Sequence, residues 1–155
     1  MTTIGDLLGS KGDMLVRDNL SVGDVHILPL GRNEGITPKV GDAKDKYFVI
    51  LGFDNCGNVI GGVVVNSKVN NNLPTSITDY LMPISASKYP FLRHNSFVNC
   101  SRLKTTTKDK FNCTTYRGRI EDEETIRMII GTLFESPYTN KQQLKEFGII
   151  PKSPL

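Results

Sequence analysis

The 155-residue chain has no tryptophan, only 8% aromatic residues and three cysteines. Each scarcity excludes something. Peptide grooves rely on exposed aromatic rings, so this scarcity counts against a protein-interaction module, although small barrels often hold a peptide. Cys56, Cys100 and Cys113 are odd in number and form no Cys-x-x-Cys pair. Neither a disulfide framework nor a zinc site is therefore expected, and each cysteine is read as a half-buried strand residue. No apolar run reaches the roughly 18 residues of a membrane span. The N-terminus also lacks the basic, apolar and small-residue succession of a secretory leader. The expectation is a cytoplasmic protein with no membrane partner, no metal and no cofactor.

What is present fits one domain with a real core, since 38% of the residues are apolar. The net charge is only +3, but it is unevenly spread. Lys88, Arg93, Arg102, Lys104, Lys108, Lys110, Arg117 and Arg119 lie within residues 84–119, against the single acid Asp109. Glu121, Asp122, Glu123 and Glu124 follow at once. A polyanion such as RNA would favour the basic segment through counterion release. A solvated basic sheet face is the alternative.

Residues 1–20 read as an N-terminal arm, at best partly helical, because Gly5, Gly9 and Gly12 each cost a helix about 1 kcal/mol relative to alanine. Residues 22–29 form a first strand, with Val25, Ile27 and Pro29 on one face and His26 and Leu28 on the other; His26 is read as a packed strand histidine. A long loop spans 31–46. Residues 47–53 and 59–65 are strands by their β-branched and aromatic content, joined by a turn into a hairpin. Gly61-Gly62 suggests a bulge or bend. A polar loop with Asn70, Asn71 and Asn72 follows, then strands at 78–84, 95–105 and 111–120. Ile126, Ile129, Ile130, Leu133 and Phe134 form the stripe of a helix over 123–135. Thr139 with Gln142 predicts a capped second helix ending at Gly148. Strands followed by terminal helices predict a mainly β, α+β domain over residues 21–150, a small barrel or strongly curved antiparallel sheet, with a short tail at 151–155.

The reading turns on residues 80–104. Its first half is a strand that stops at Pro83 and opens into Ser85 and Ser87. Its second half sets Phe97, Asn99, Ser101 and Arg102 around Val98, Cys100 and Leu103. Successive strand side chains point to opposite faces, so a hydroxyl-bearing strand end beside a polar, cationic strand would make a small site.

Four segments carry a family resemblance in their order. They are Gly23-Asp24-Val25; residues 47–52; Pro83-Ile84-Ser85-Ala86-Ser87-Lys88-Tyr89-Pro90-Phe91 with Val98-Asn99-Cys100-Ser101-Arg102-Leu103-Lys104-Thr105; and Tyr116-Arg117-Gly118-Arg119-Ile120 before the helix. Together they resemble the MazF/PemK-type toxin ribonucleases, whose fold is an SH3-like barrel. Related toxins of RNA-antitoxin systems share it. The resemblance implies metal-independent cleavage of single-stranded RNA that leaves a cyclic phosphate, a cognate protein or RNA antitoxin, and a homodimer. Ser85 matches the family's catalytic hydroxyl. Lys44 or Lys46 stands where the family has a catalytic arginine, without its bidentate fork. Ser101 and Arg102 stand where the family often has an acid and an amide. The Arg-Pro step before the second strand is missing, and the hairpin strand 59–65 is an insertion. The catalytic set implied is Ser85, Lys46, Arg102 and His94, the last because histidine exchanges protons near neutral pH. Lys44, Ser87, Lys88, Arg93, Ser101, Lys104 and Arg117 are the implied RNA contacts. A nucleic-acid-binding barrel without catalysis is the competing reading, favoured by the missing acid.

Overall fold

The β-branched hairpin is the centre of the sheet. In the computed structural model, which describes residues 4–34, 36, 41, 43–67 and 74–151 with side chains from residue 11 onward, its arms are β2 (Ala43–Phe53) and β3 (Val59–Asn66). They pair antiparallel, Tyr47 opposite Val65 and Phe53 opposite Ile60. β1 (Asp24–Gly31) lies outside β2, and β6 (Tyr116–Arg119) outside β1. On the other side β5 (Ser96–Thr107) pairs with β3, and β4 (Leu81–Ile84) closes that edge. The result is one six-stranded antiparallel sheet ordered β4-β5-β3-β2-β1-β6. β4 and β6 are its edges, and no ladder joins them among the described residues.

Strand alternation sorts the core onto two faces. Val25, Val49, Leu51, Val63 and Val65 face one way, against Ile129 and Leu133 of α3 (Glu123–Glu135) and Leu144 of α4 (Lys141–Glu146). Leu28, Leu30, Phe48, Ile50, Ile60 and Val64 face the other way and pack with Phe111. Each such side chain, fully buried, stabilises by about 1.5–3 kcal/mol, which explains why the two faces fix the register.

The glycine pair does mark an irregularity. Val63 alone spans the gap between the pairs Gly62–Lys104 and Val64–Asn99, so β5 bulges there. A Cβ on Gly62 would lie 2.1 Å from the Val49 carbonyl oxygen, so no larger residue fits. The bulge keeps Val98, Cys100 and Leu103 all buried in the helix-covered core.

Several expectations need correction. The N-terminal arm is helical over Ile4–Asp18 (α1), despite its glycines. Tertiary anchors offset the weak propensity: Arg17 Nε donates to the Phe111 carbonyl at 2.8 Å, and the Cys113 amide donates to Asp13 at 2.9 Å. β1 starts two residues later than expected and runs on to Gly31, with Leu28 buried and Pro29 exposed. β2 already begins at Ala43, and a 3-10 turn at Arg32–Glu34 shortens the loop before it. Residues 35, 37–40 and 42 of that loop and the Asn70–Asn72 run lie outside the described residues. Residues 75–78 form a short helix, α2 (Thr75–Thr78), so β4 starts only at Leu81. β6 starts at Tyr116 rather than 111, because Lys108–Lys110 is a 3-10 turn and the Asn112 side chain accepts from the Thr114 and Thr115 amides. In α3, Thr125 is buried and Phe134 is 39% exposed, its ring under Lys141 Nζ at 4.3 Å. Asn140, not Thr139, caps α4, accepting from the Gln143 amide at 3.2 Å. Gly148 does close that helix. No helix among the described residues is long and apolar enough to cross a membrane.

Candidate nucleic-acid interface

The register alone builds the floor of a cleft. Ile27 of β1 lies opposite Tyr47 of β2, and Tyr47 opposite Val65 of β3. Directly opposed residues share a face, so these three form one apolar row across three strands. The cleft above them has a volume of about 410 Å³. Its walls are Lys44, Asp45 and Lys46 of β2, Ser67 after β3, Arg93 and His94 of the loop after β4, Ser96 of β5 and Arg117 of β6.

Five of the residues singled out in the sequence therefore meet here: Lys44, Lys46, Arg93, His94 and Arg117. Lys46 is half-buried, and its Nζ donates to Asn66 Oδ1 at 2.7 Å. Burial, and then the neighbouring Lys44 charge, lower its pKa below the ordinary lysine value. Arg117 Nη1 donates to the Thr114 carbonyl at 2.6 Å and to the Tyr116 carbonyl at 3.0 Å, which holds the guanidinium at the mouth. Ser96 Oγ donates to the His94 carbonyl at 2.9 Å and lies 3.4 Å from its Nδ1. The Tyr47 hydroxyl donates to the Phe91 carbonyl at 3.3 Å, and the two rings meet edge-on with centroids 6.2 Å apart.

The other candidates lie elsewhere. Ser85 and Ser87 sit in the turn after β4, their hydroxyls 2.5 Å apart, with Ser85 Oγ also accepting from the Ser87 amide at 3.1 Å. That is the local turn bond serine favours. Lys88 is drawn away to Asp122 at 3.1 Å. Its aromatic neighbour Tyr89 places its hydroxyl 2.9 Å from Asp122 and 2.8 Å from Thr125. Ser101 is buried, its hydroxyl donating to Asn99 at 2.6 Å while its carbonyl accepts from Ser136. Arg102 lies 5.8 Å from the Tyr138 ring. Lys104 is half-buried, and burial and Arg102 lower its pKa. None of these six lines the cleft.

Asp45, Tyr47, Ile27, Val65, Ser67 and Ser96 belong to the cleft but were not singled out from the sequence. Ile27 and Tyr47 were legible as same-face strand residues once β1 and β2 were paired; the others had no local signal. Among the described residues no group of three or more histidines, cysteines and acids is arranged to hold a metal. Chemically, the cleft can hold an anion between four cations, over an apolar floor, beside an imidazole. No protein-family model and no curated protein matches this chain.

Proposed function

We propose that this protein is a metal-independent endoribonuclease acting on single-stranded RNA, of the toxin-like kind implied by the MazF/PemK resemblance. The observation that carries the reading is the convergence of Lys44, Lys46, Arg93, Arg117 and His94, from three separate segments, on one cleft. Like charges repel, so such a gathering is unfavourable unless an anion joins it, and a phosphodiester supplies that anion.

The residues divide the work of a transesterification. His94 takes the proton of a ribose 2′-hydroxyl while O2′ bonds to phosphorus. Arg93, Arg117 and Lys44 stabilise the charge that builds on the non-bridging oxygens. The P–O5′ bond breaks, and Lys46, whose proton burial has loosened, gives it to the leaving oxygen. The products are a 2′,3′-cyclic phosphate and a 5′-hydroxyl. On this reading the sheet is an SH3-like barrel whose seam runs where Phe91 meets Gly118. A Cβ on Gly118 would lie 2.8 Å from the Phe91 ring, so the segment after β4 packs directly on β6. A homodimer and a cognate antitoxin, protein or RNA, that covers the cleft complete the proposal.

The test is incubation of a long labelled RNA in EDTA with the parent protein, Lys46→Ala and His94→Ala. Discrete products that diminish in both variants are expected. Failure of the folded parent to cut any RNA rejects catalysis. A second reading, RNA binding without cleavage, is favoured by the Ser85 hydroxyl, which is bonded to Ser87 outside the cleft. Salt-dependent RNA affinity in a protein that never cuts would establish it.

A further inference from the structure

One residue of the cleft works against its chemistry. Asp45 lies between Lys44 and Lys46 on β2 and lines the same walls. It is exposed, and its carboxylate makes no hydrogen bond or ion pair to another described residue. A carboxylate beside a phosphate site repels the phosphate. Its position says what else it can meet. Asp45 and Tyr47 are two residues apart on one strand, so they share a face, about 7 Å apart. The cleft thus sets an apolar row of Ile27, Tyr47 and Val65, with a carboxylate at its end, beside the cations Lys44, Lys46, Arg93 and Arg117 that line the same walls.

That division matches the two halves of a nucleotide. The phosphates belong with the cations. A base is flat and apolar on its faces and fits the Ile27–Tyr47–Val65 row, while its edge carries the polar groups. A carboxylate is an acceptor with two oxygens and pairs best with two parallel N–H donors. Guanine offers them at N1–H and N2–H. Cytosine and adenine place a bare ring nitrogen beside their amino group, and uracil flanks its N–H with two carbonyls. All three set at least one acceptor against the carboxylate.

We infer that Asp45 is a specificity-determining residue that selects a guanine base in single-stranded RNA, seated on the Ile27–Tyr47–Val65 row. This rests on the RNA reading above and deepens it. The test uses 2′-O-methyl pentanucleotides, which bind but cannot undergo transesterification. Fluorescence anisotropy compares U5 with variants carrying guanine, inosine, cytosine or adenine at the centre. The parent is expected to favour central guanine by about 10- to 100-fold over U5, and to lose much of that with inosine, which lacks the N2 amino group. Asp45→Asn is expected to abolish the guanine preference and to bind U5 at least as well as the parent, since it removes a negative charge from a cationic cleft. Equal affinity for all five oligonucleotides, or a guanine preference that survives Asp45→Asn, overturns the inference and leaves the RNA reading standing. No binding of any oligonucleotide overturns both.

Discussion

The Asp122 cluster and the β2 cleft both bring charge and hydroxyls together on the same molecule, and they differ in what each group has left to do. At the start of α3, Asp122 accepts from the Thr125 amide at 3.2 Å, from Lys88 at 3.1 Å and from the Tyr89 hydroxyl at 2.9 Å. Bonds from Thr125, Tyr89 and Lys88 hold its carboxyl well below the usual carboxylate range, against the opposing effect of burial. That cluster consumes its own polarity and serves to cap a helix. In the cleft, four cations and one carboxylate converge, and among the described residues only Lys46 and Arg117 of the cations have side-chain hydrogen bonds, all to neutral oxygens. Charge neutralised within a cluster is structural, whereas an excess of positive charge on a cavity favours an anion.

Breaking the structural side should give the largest effect. His26 is fully buried, with Nδ1 2.8 Å from Thr115 Oγ1 and no partner at Nε2 among the described residues. Burial first, and then the Arg117 charge, push its pKa down from 6.5 to about 4. The unfolded chain therefore takes up the proton first. Stability is complete above about pH 6.5 and falls as the pH drops towards 4, by up to about 3 kcal/mol in total. Urea unfolding at intervals across that window checks it, and His26→Gln should flatten the slope.

On the cleft side, Lys46→Ala is expected to lower RNA cleavage by about 100-fold, or roughly 2.7 kcal/mol of barrier. Its stability should change by less than about 1 kcal/mol, since it loses one hydrogen bond. Single-turnover rates beside a thermal melt separate the two. Asp122→Ala reverses the pattern: loss of the cap should cost about 1–2 kcal/mol of stability and leave the cleavage rate of the folded protein unchanged. The smallest effect is expected at Ser85→Ala. That hydroxyl closes a surface turn, so stability should move by about 0.5 kcal/mol or less and the cleavage rate by less than about 3-fold. A large loss of rate at Ser85 would move the reacting phosphate out of the cleft and onto the β4 turn.

Much of the fold was legible in local pattern. The hairpin of β2 and β3 followed from two β-branched runs about a short turn, and α3 from an acidic start and an apolar stripe. The errors fell where local chemistry competes with a neighbour. α1 forms over three glycines because Arg17 and Asp13 reach residues 111 and 113, contacts with no trace in the helix itself. β6 starts late because Asn112 bonds the amides after it, a turn that side-chain alternation does not register.

The candidate site shows the same limit more sharply. Basic residues were visible as a cluster in the sequence, and five of those chosen do meet in one cleft. The sequence could not say which basic residues those would be. Lys88 and Arg102 are near neighbours of Arg93 along the chain, yet one is taken by Asp122 and the other lies by Tyr138.

By itself the sequence determined the central hairpin and α3: alternation and stripe set which residues form them and which face each turns to the core. Both depend on interactions a few residues apart. Only the tertiary structure decided the cleft. Pairing β1 with both β2 and β6 sets Ile27 beside Tyr47 and carries Arg117 to the same mouth, while the loop after β4 brings His94 over it. Those residues are up to 90 positions apart, counting from Ile27 to Arg117, and nothing short of the sheet's pairing order can place them together.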